Sequence, residues 1–410
     1  MKRIHAQLII WVLMMVMVSG VDGFAESVAI HGFITQGYLK TDKNNYLADT
    51  EKGSFEINEM GINFNTYLND DTKIGIQFFA RDLGDLGNDK VTVDWAYADR
   101  QLREWLGLRV GIMKIPHGFY NESRDCDMMR TSILQPQGVY NEPWRGALYD
   151  LTGVGIYGNL INHISYECQA GLIEEGTDGG MAKKFNDLVK SRVDRILGHW
   201  GTVMNVQCYD LIEGLRFGGS LVVWTWDMDI TLYPSEKFPF PSPTHAYSDN
   251  EGQVWTGSIE YTRGKFLFSS EYTITYFNIP MQIYLMNGAL TVHNTLKNHM
   301  LGYYYNTSYR FTEWFEAGLY YSTFYYNKDD RQGKSSDLVD KYGWKDYYSW
   351  SKDTCLSLRF DLNANWIFKL ETHYNDGFYN GFVNMNMNDD GSFDVARYWW
   401  LFGAKIMFVF

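Results

Sequence analysis

The chain has 410 residues, with 36 basic and 49 acidic side chains for a net charge of −13, 17% aromatics, 38 glycines and only 8 prolines. Mean hydropathy is −0.31, and without repeated runs of ~18 or more apolar residues the chain is not a bundle of membrane-spanning helices. So many aromatic rings exclude disorder, and so acidic a balance argues against nucleic acid as a partner.

Lys2 and Arg3 precede an unbroken apolar run from Leu8 to Val18, and Gly23-Phe24-Ala25 then offers small residues at a cleavage site. The run is too short to span a bilayer, so residues 1–25 read as a secretory signal peptide and 26–410 as the mature, single-domain chain. Four cysteines follow, at 126, 168, 208 and 355, with no C-x-x-C pair that would hold a metal or run redox chemistry. Cys168 and Cys208 flank a long connection almost symmetrically, and free thiols facing outward are expected at both.

From Val28 onward, stretches of about ten residues alternate apolar with polar, the period of strands between two solvents. In the clearest case Leu356, Leu358, Phe360 and Leu362 share one face, and Ser357, Arg359 and Asp361 the other. Sixteen such stretches are predicted: 28–40, 54–68, 72–81, 90–101, 106–114, 152–160, 163–174, 200–210, 214–232, 252–263, 265–279, 298–311, 313–327, 352–363, 365–377 and 394–410. Their connections alternate between seven short turns and eight long loops, the longest of which covers 115–151. Short turns on one rim and long loops on the other are the pattern of a transmembrane antiparallel β-barrel. All eight prolines, from Pro116 to Pro280, fall in or at the edge of the predicted long loops, as a sheet without edges requires.

The chain closes on Tyr398-Trp-Trp-Leu-Phe-Gly-Ala-Lys-Ile-Met-Phe-Val-Phe410, apolar on one face, with Lys405 and Arg397 on the other. A final strand ending in phenylalanine resembles the assembly signal of Gram-negative outer-membrane barrels. With the signal peptide, the sixteen strands and the opening Ile30-His31-Gly32-Phe33, the chain resembles the bacterial porin family over its whole mature length. The entry to the long loop, Gly111-x-x-Lys114-x-Pro116, is similar to porins of the phosphate-selective type, although no dense ladder of Arg and Lys lines the predicted lumen. The resemblance implies an outer-membrane location, a third loop folded into the lumen, a homotrimer, and passive diffusion of small hydrophilic solutes and ions through a barrel set in outer-membrane lipid.

The expected pore constriction combines Glu122, Arg124, Asp125, Asp127 and Arg130 of the loop with Arg81, Arg109, Arg359 and Lys405 of the wall. Charges inside a low-dielectric barrel focus a field on passing ions, and mixed signs favour a weakly selective channel. A phosphate- or carboxylate-selective channel is the alternative; an outer-membrane barrel enzyme or receptor is a third reading. No Ser/His/Asp arrangement stands out, and no cofactor or metal is expected. Asn386-x-Asn388-x-Asp390-Gly391-x-x-Asp394 has ligand types of a calcium loop, but Arg397 stands where the bidentate acid belongs; turn-forming residues account for the segment without metal.

Overall fold

The computed structural model describes residues 27–188, 191–233, 244–284, 290–334, 345–387 and 394–410. The predicted signal peptide, four of the eight prolines and most of the 386–394 segment lie outside the described residues.

Sixteen antiparallel strands close into one barrel. The first seven are β1 (Ala29–Thr41), β2 (Ile57–Asn69), β3 (Thr72–Leu83), β4 (Thr92–Arg103), β5 (Leu106–Lys114), β6 (Asp150–Ile161) and β7 (Ile164–Leu172). Five long strands follow: β8 (Ser191–Tyr209), β9 (Leu215–Leu232), β10 (Thr244–Arg263), β11 (Phe266–Tyr284) and β12 (Leu290–Arg310). The last four are β13 (Phe315–Tyr325), β14 (Trp350–Asp361), β15 (Trp366–Gly377) and β16 (Tyr398–Val409). A short helix, α1 (Gly180–Leu188), sits in the connection between β7 and β8.

Closure is antiparallel between β1 and β16, with Phe33 opposite Val409. Gly32 and Phe410 exchange both backbone hydrogen bonds at 3.0 Å. A Cβ on Gly32 would stand 2.5 Å from the Phe410 ring, so the glycine leaves room for the terminal phenylalanine to cover the seam.

The short connections are turns of local chemistry. Gly264, at φ +59°, makes the bend between β10 and β11, a conformation that glycine adopts without steric cost. Asn363 accepts hydrogen bonds from the N–H groups of Asn365 (2.9 Å) and Trp366 (3.0 Å) to shape the turn between β14 and β15.

On the outer face, rings collect in two bands. Near the turns, Phe360 lies 5.3 Å from Phe315 and Trp366 4.9 Å from Phe408; nearer the long loops, Tyr374 lies 5.0 Å from Trp400 and stacks with Tyr398 at 6.2 Å. Between the bands Leu319, Leu356 and Leu370 are exposed. Two aromatic girdles around an aliphatic belt are the outer surface of a transmembrane barrel.

Strands β8 to β12 run 18 to 21 residues, about twice the ~9–11 that cross a bilayer. Much of what the alternation assigned to loops at 175–199, 233–251 and 280–297 is therefore strand that continues beyond the lipid. Pro280 is a second correction: it lies inside β11, paired opposite Thr295. On its other side the ladder to β10 skips, from Asn278 opposite Glu251 to Met281 opposite Ser248, because proline has no N–H to give.

The register of β7 and β8 places Cys168 opposite Met204 and Cys208 opposite Ile164. The two thiols are four ladder positions apart, and all four cysteines are free.

Candidate functional site: the third loop in the lumen

Residues 115–149 join β5 to β6 and fold into the barrel. Ile115, Ile133, Asn121, Asn141, Gln135 and Gln137 along this loop are buried. Its backbone meets the wall on many sides. Asn205 of β8 donates to Pro116 O at 2.8 Å, Ser220 of β9 accepts from Gly118 N at 3.0 Å, and Ser322 of β13 accepts from Gly138 N at 2.7 Å. Gly138 lies so close to Gly302 of β12 that any Cβ on Gly302 would strike its carbonyl.

Four carboxylate clusters anchor the loop. Glu142 lies 2.9 Å from Arg81 and from Arg124, and 3.7 Å from Arg145. Burial opposes its charge, but the three guanidinium groups hold its carboxyl far below the usual range. Arg145 also reaches Glu59 of β2 at 3.3 Å, and Lys405 of β16 reaches the same Glu59 at 2.8 Å. Asp125 pairs with Lys114 and accepts from Gln77 at 2.7 Å, while Asp94 lies 3.0 Å from the same lysine. Glu271 of β11 accepts from Phe119 N at 2.8 Å, Tyr140 Oη at 2.5 Å and Tyr304 Oη at 2.9 Å. Burial pushes the Arg124 guanidinium down to about 10, which leaves it charged, and pushes His117 down to about 4, which leaves it neutral beside Thr256 at 2.7 Å.

The tip carries the fourth anchor. Glu371 of β15 accepts from Ile133 N at 2.6 Å and Leu134 N at 3.2 Å, and Lys369 donates to the carbonyls of Asp127 (2.5 Å) and Ser132 (3.1 Å). Asp127 pairs with both Arg130 and Lys405. Arg359 donates to Met128 O at 2.5 Å and pairs with Asp361 at 2.7 Å.

The nine residues expected at the constriction thus fall into two groups. Arg81, Arg124, Asp125, Asp127 and Lys405 join the buried clusters; Asp125 and Asp127 are at most 1% exposed. Glu122 is exposed to the lumen, and Arg130 and Arg359 line its open part. Arg109 is partly open, paired with Asp99 and Glu167 at 3.0 Å and stacked on Tyr97 and Tyr157 at 4.8 Å. Desolvation by the surrounding protein and the charge of Glu167 push the Glu122 carboxyl up to about 7. The anchors Glu142, Arg145, Glu59 and Glu371 carry no signature in the sequence, since ion pairs between distant segments leave no local pattern.

The loop divides the lumen. On the turn side a cavity of about 470 Å³ opens, lined by Met128, Met129 and Tyr120 with Arg130, Arg310, Arg359 and Lys265. On the long-loop side the wall turns apolar: Trp224, Trp226, Met228 and Ile230 of β9 point inward and pack with Phe277, Phe324 and Trp399. The cavities there measure about 20 and 30 Å³, room for single waters. Above them, Lys184 of α1 donates to Gly381 O, and Asp187 accepts from the N–H groups of Val383 (2.9 Å) and Asn384 (3.1 Å). The expected water-filled lumen is therefore open on the turn side and packed on the other.

No protein-family model and no curated protein matches the chain. Solved structures do. The outer membrane channel DcaP of Acinetobacter baumannii superposes with a TM-score of 0.58 at 11% identity, covering 95% of this chain and 99% of its own. OmpF of Salmonella typhi gives 0.55 at 12% identity, covering 93% and 97%. The anion-selective porin from Comamonas acidovorans gives 0.52 at 13%, covering 94% and 100%. The chain has the fold of the sixteen-stranded outer-membrane porins, with the third loop inside the barrel.

Proposed function

We propose that the protein is a passive outer-membrane channel for small hydrophilic solutes and ions, and that its third loop sets the passage. The observation that carries this reading is how the loop is held. Hydrogen bonds and ion pairs bind it to the wall, and every cysteine is free, so no disulfide fixes it in place. In this reading the packed long-loop half is the closed state, and ions pass when the tip and the apolar contacts above it give way. The mature chain, after loss of residues 1–25, sits in outer-membrane lipid. A homotrimer is supported by a related structure, OmpT of Vibrio cholerae, which is described in a trimer form.

A preference for anions is the second reading. Among the described residues the turn-side cavity is lined by Arg130, Lys265, Arg310 and Arg359 against one acid, Glu316, and a cationic vestibule concentrates anions. The anion-selective porin among the similar structures supports the same direction.

Reconstitution of the full chain in a planar bilayer tests both. Discrete conductance steps are expected, and in asymmetric salt a reversal potential displaced toward the anion. Absence of steps, together with turnover of an ester, peptide or lipid by the refolded protein, would replace the channel by the enzyme reading.

A further inference from the structure

We propose that Cys355, Glu371 and His373 form a zinc-type metal site in the inner wall of the barrel, beneath the third loop. Cys355 and His373 are direct partners in the β14–β15 ladder. Glu371 precedes His373 by two residues, so it lies on the same inward face. One donor atom from each of the three lies within 4.8 Å of the other two. The residues are 0%, 5% and 2% exposed. A thiolate sulfur, an imidazole nitrogen and a carboxylate oxygen are the donor types that bind zinc.

A second observation points to a ligand at this spot. His373 Nε2 is buried and has no hydrogen-bond partner of good geometry, although Glu371 Oε1 is only 2.9 Å away. The other ring nitrogen is fully engaged. Nδ1 lies 3.0 Å from both oxygens of Asp353, and the Tyr320 hydroxyl donates to Asp353 at 3.0 Å. A carboxylate on Nδ1 holds the proton there and aims the Nε2 lone pair at Cys355 and Glu371. Metal-binding histidines are oriented by carboxylates in the same way. Binding of a metal there releases the thiol proton of Cys355.

The cavity of about 20 Å³ beside the third loop is lined by His373 and Asp353 and has room for one water. Glu371 also accepts the N–H groups of Ile133 and Leu134, so a bound metal shares its carboxylate with the loop tip.

The test uses the refolded full chain in detergent, stripped with chelator and titrated with Co²⁺. One equivalent should bind with a thiolate-to-cobalt charge-transfer band, and Zn²⁺ should displace it. Cys355→Ser should abolish the band, Cys126→Ser should keep it, and Asp353→Asn should weaken binding about 10–100-fold. X-ray absorption of the zinc-loaded wild-type protein, which needs no variant, should find one sulfur beside nitrogen and oxygen ligands. Failure to bind a stoichiometric metal, a band that survives Cys355→Ser, or a zinc environment without sulfur would each overturn the proposal.

Discussion

Glu371, on the inner face of β15, accepts a hydrogen bond from the backbone N–H of Ile133 at 2.6 Å and so fixes the tip of the third loop to the far wall. The same carboxylate takes Leu134 N, so its loss strands two buried donors. Each unsatisfied buried group costs about 1–3 kcal/mol. Glu371→Ala should therefore release the tip while the barrel stays closed. The expected result in a planar bilayer is more frequent or larger opening than in the wild type; unchanged gating would mean that the tip does not control the passage.

Glu142 should be the most costly single charge to remove. Three guanidinium groups depend on it, and Arg124 and Arg145 would remain buried, and Arg81 half-buried, without their shared partner. Breaking a buried pair by removing one member costs about 3–5 kcal/mol. Glu142→Gln, measured by urea unfolding in lipid vesicles, should lose stability in this range. Asp49→Asn, at an exposed pair with Lys52, should be close to neutral. Equal effects at both sites would show that the cluster is not an anchor.

The outer face gives a depth-dependent expectation. Leu370 and Leu356 lie between the two aromatic girdles, so arginine there should cost about 2–4 kcal/mol. Arginine at Asn306, which lines the turn-side cavity, should cost far less. Ser357 also points inward but is only 2% exposed beneath the third loop, so arginine there should be costly too. Similar losses at Leu370 and Asn306 would contradict the assignment of faces.

The strands were legible in the sequence wherever one face met lipid and the other water. Thr354 to Leu362 shows this, and the structure keeps Leu356 outward and Ser357 inward. Legibility failed above the bilayer, because there the pattern inverts. Asp227 and Asp229 of β9 point outward to water and pair with His199 and Arg195, while Trp226 and Met228 fill the interior. β9 itself was read as 214–232, but the partner stretch 191–199 of β8, with Arg195 and His199, fell in the predicted connection 175–199. The entry of the third loop was legible through resemblance alone. Its charges were visible, but Asp125 and Arg130 stand only five residues apart and differ in fate: one is sealed against Lys114, the other faces the cavity. Burial of this kind depends on what the barrel brings opposite, which no local spacing encodes.

Glu122 should make ion preference depend on pH near neutrality. Its carboxyl is exposed to the lumen, yet desolvation by the surrounding protein and the charge of Glu167 push it up to about 7 from an ordinary 4.5. Below the lower value the group is neutral in both folded and unfolded chains. Between the two values the unfolded chain ionises first, so this group withdraws stability as pH rises from about 4.5 to 7. Above 7 it carries a negative charge into the lumen, which favours cations. Reversal potentials across a salt gradient should therefore move toward cation preference between pH 5 and pH 9. Glu122→Gln should flatten that step. Glu175, which burial also pushes up to about 7, lies in the long-loop connection before α1, and Glu175→Gln should leave the step intact. The effect should be largest at about 0.1 M salt, where the Debye length is ~10 Å, and shrink at 1 M, where it is ~3 Å. A step that persists in Glu122→Gln, or that is insensitive to salt, would assign the titration to another group and remove Glu122 from the ion path.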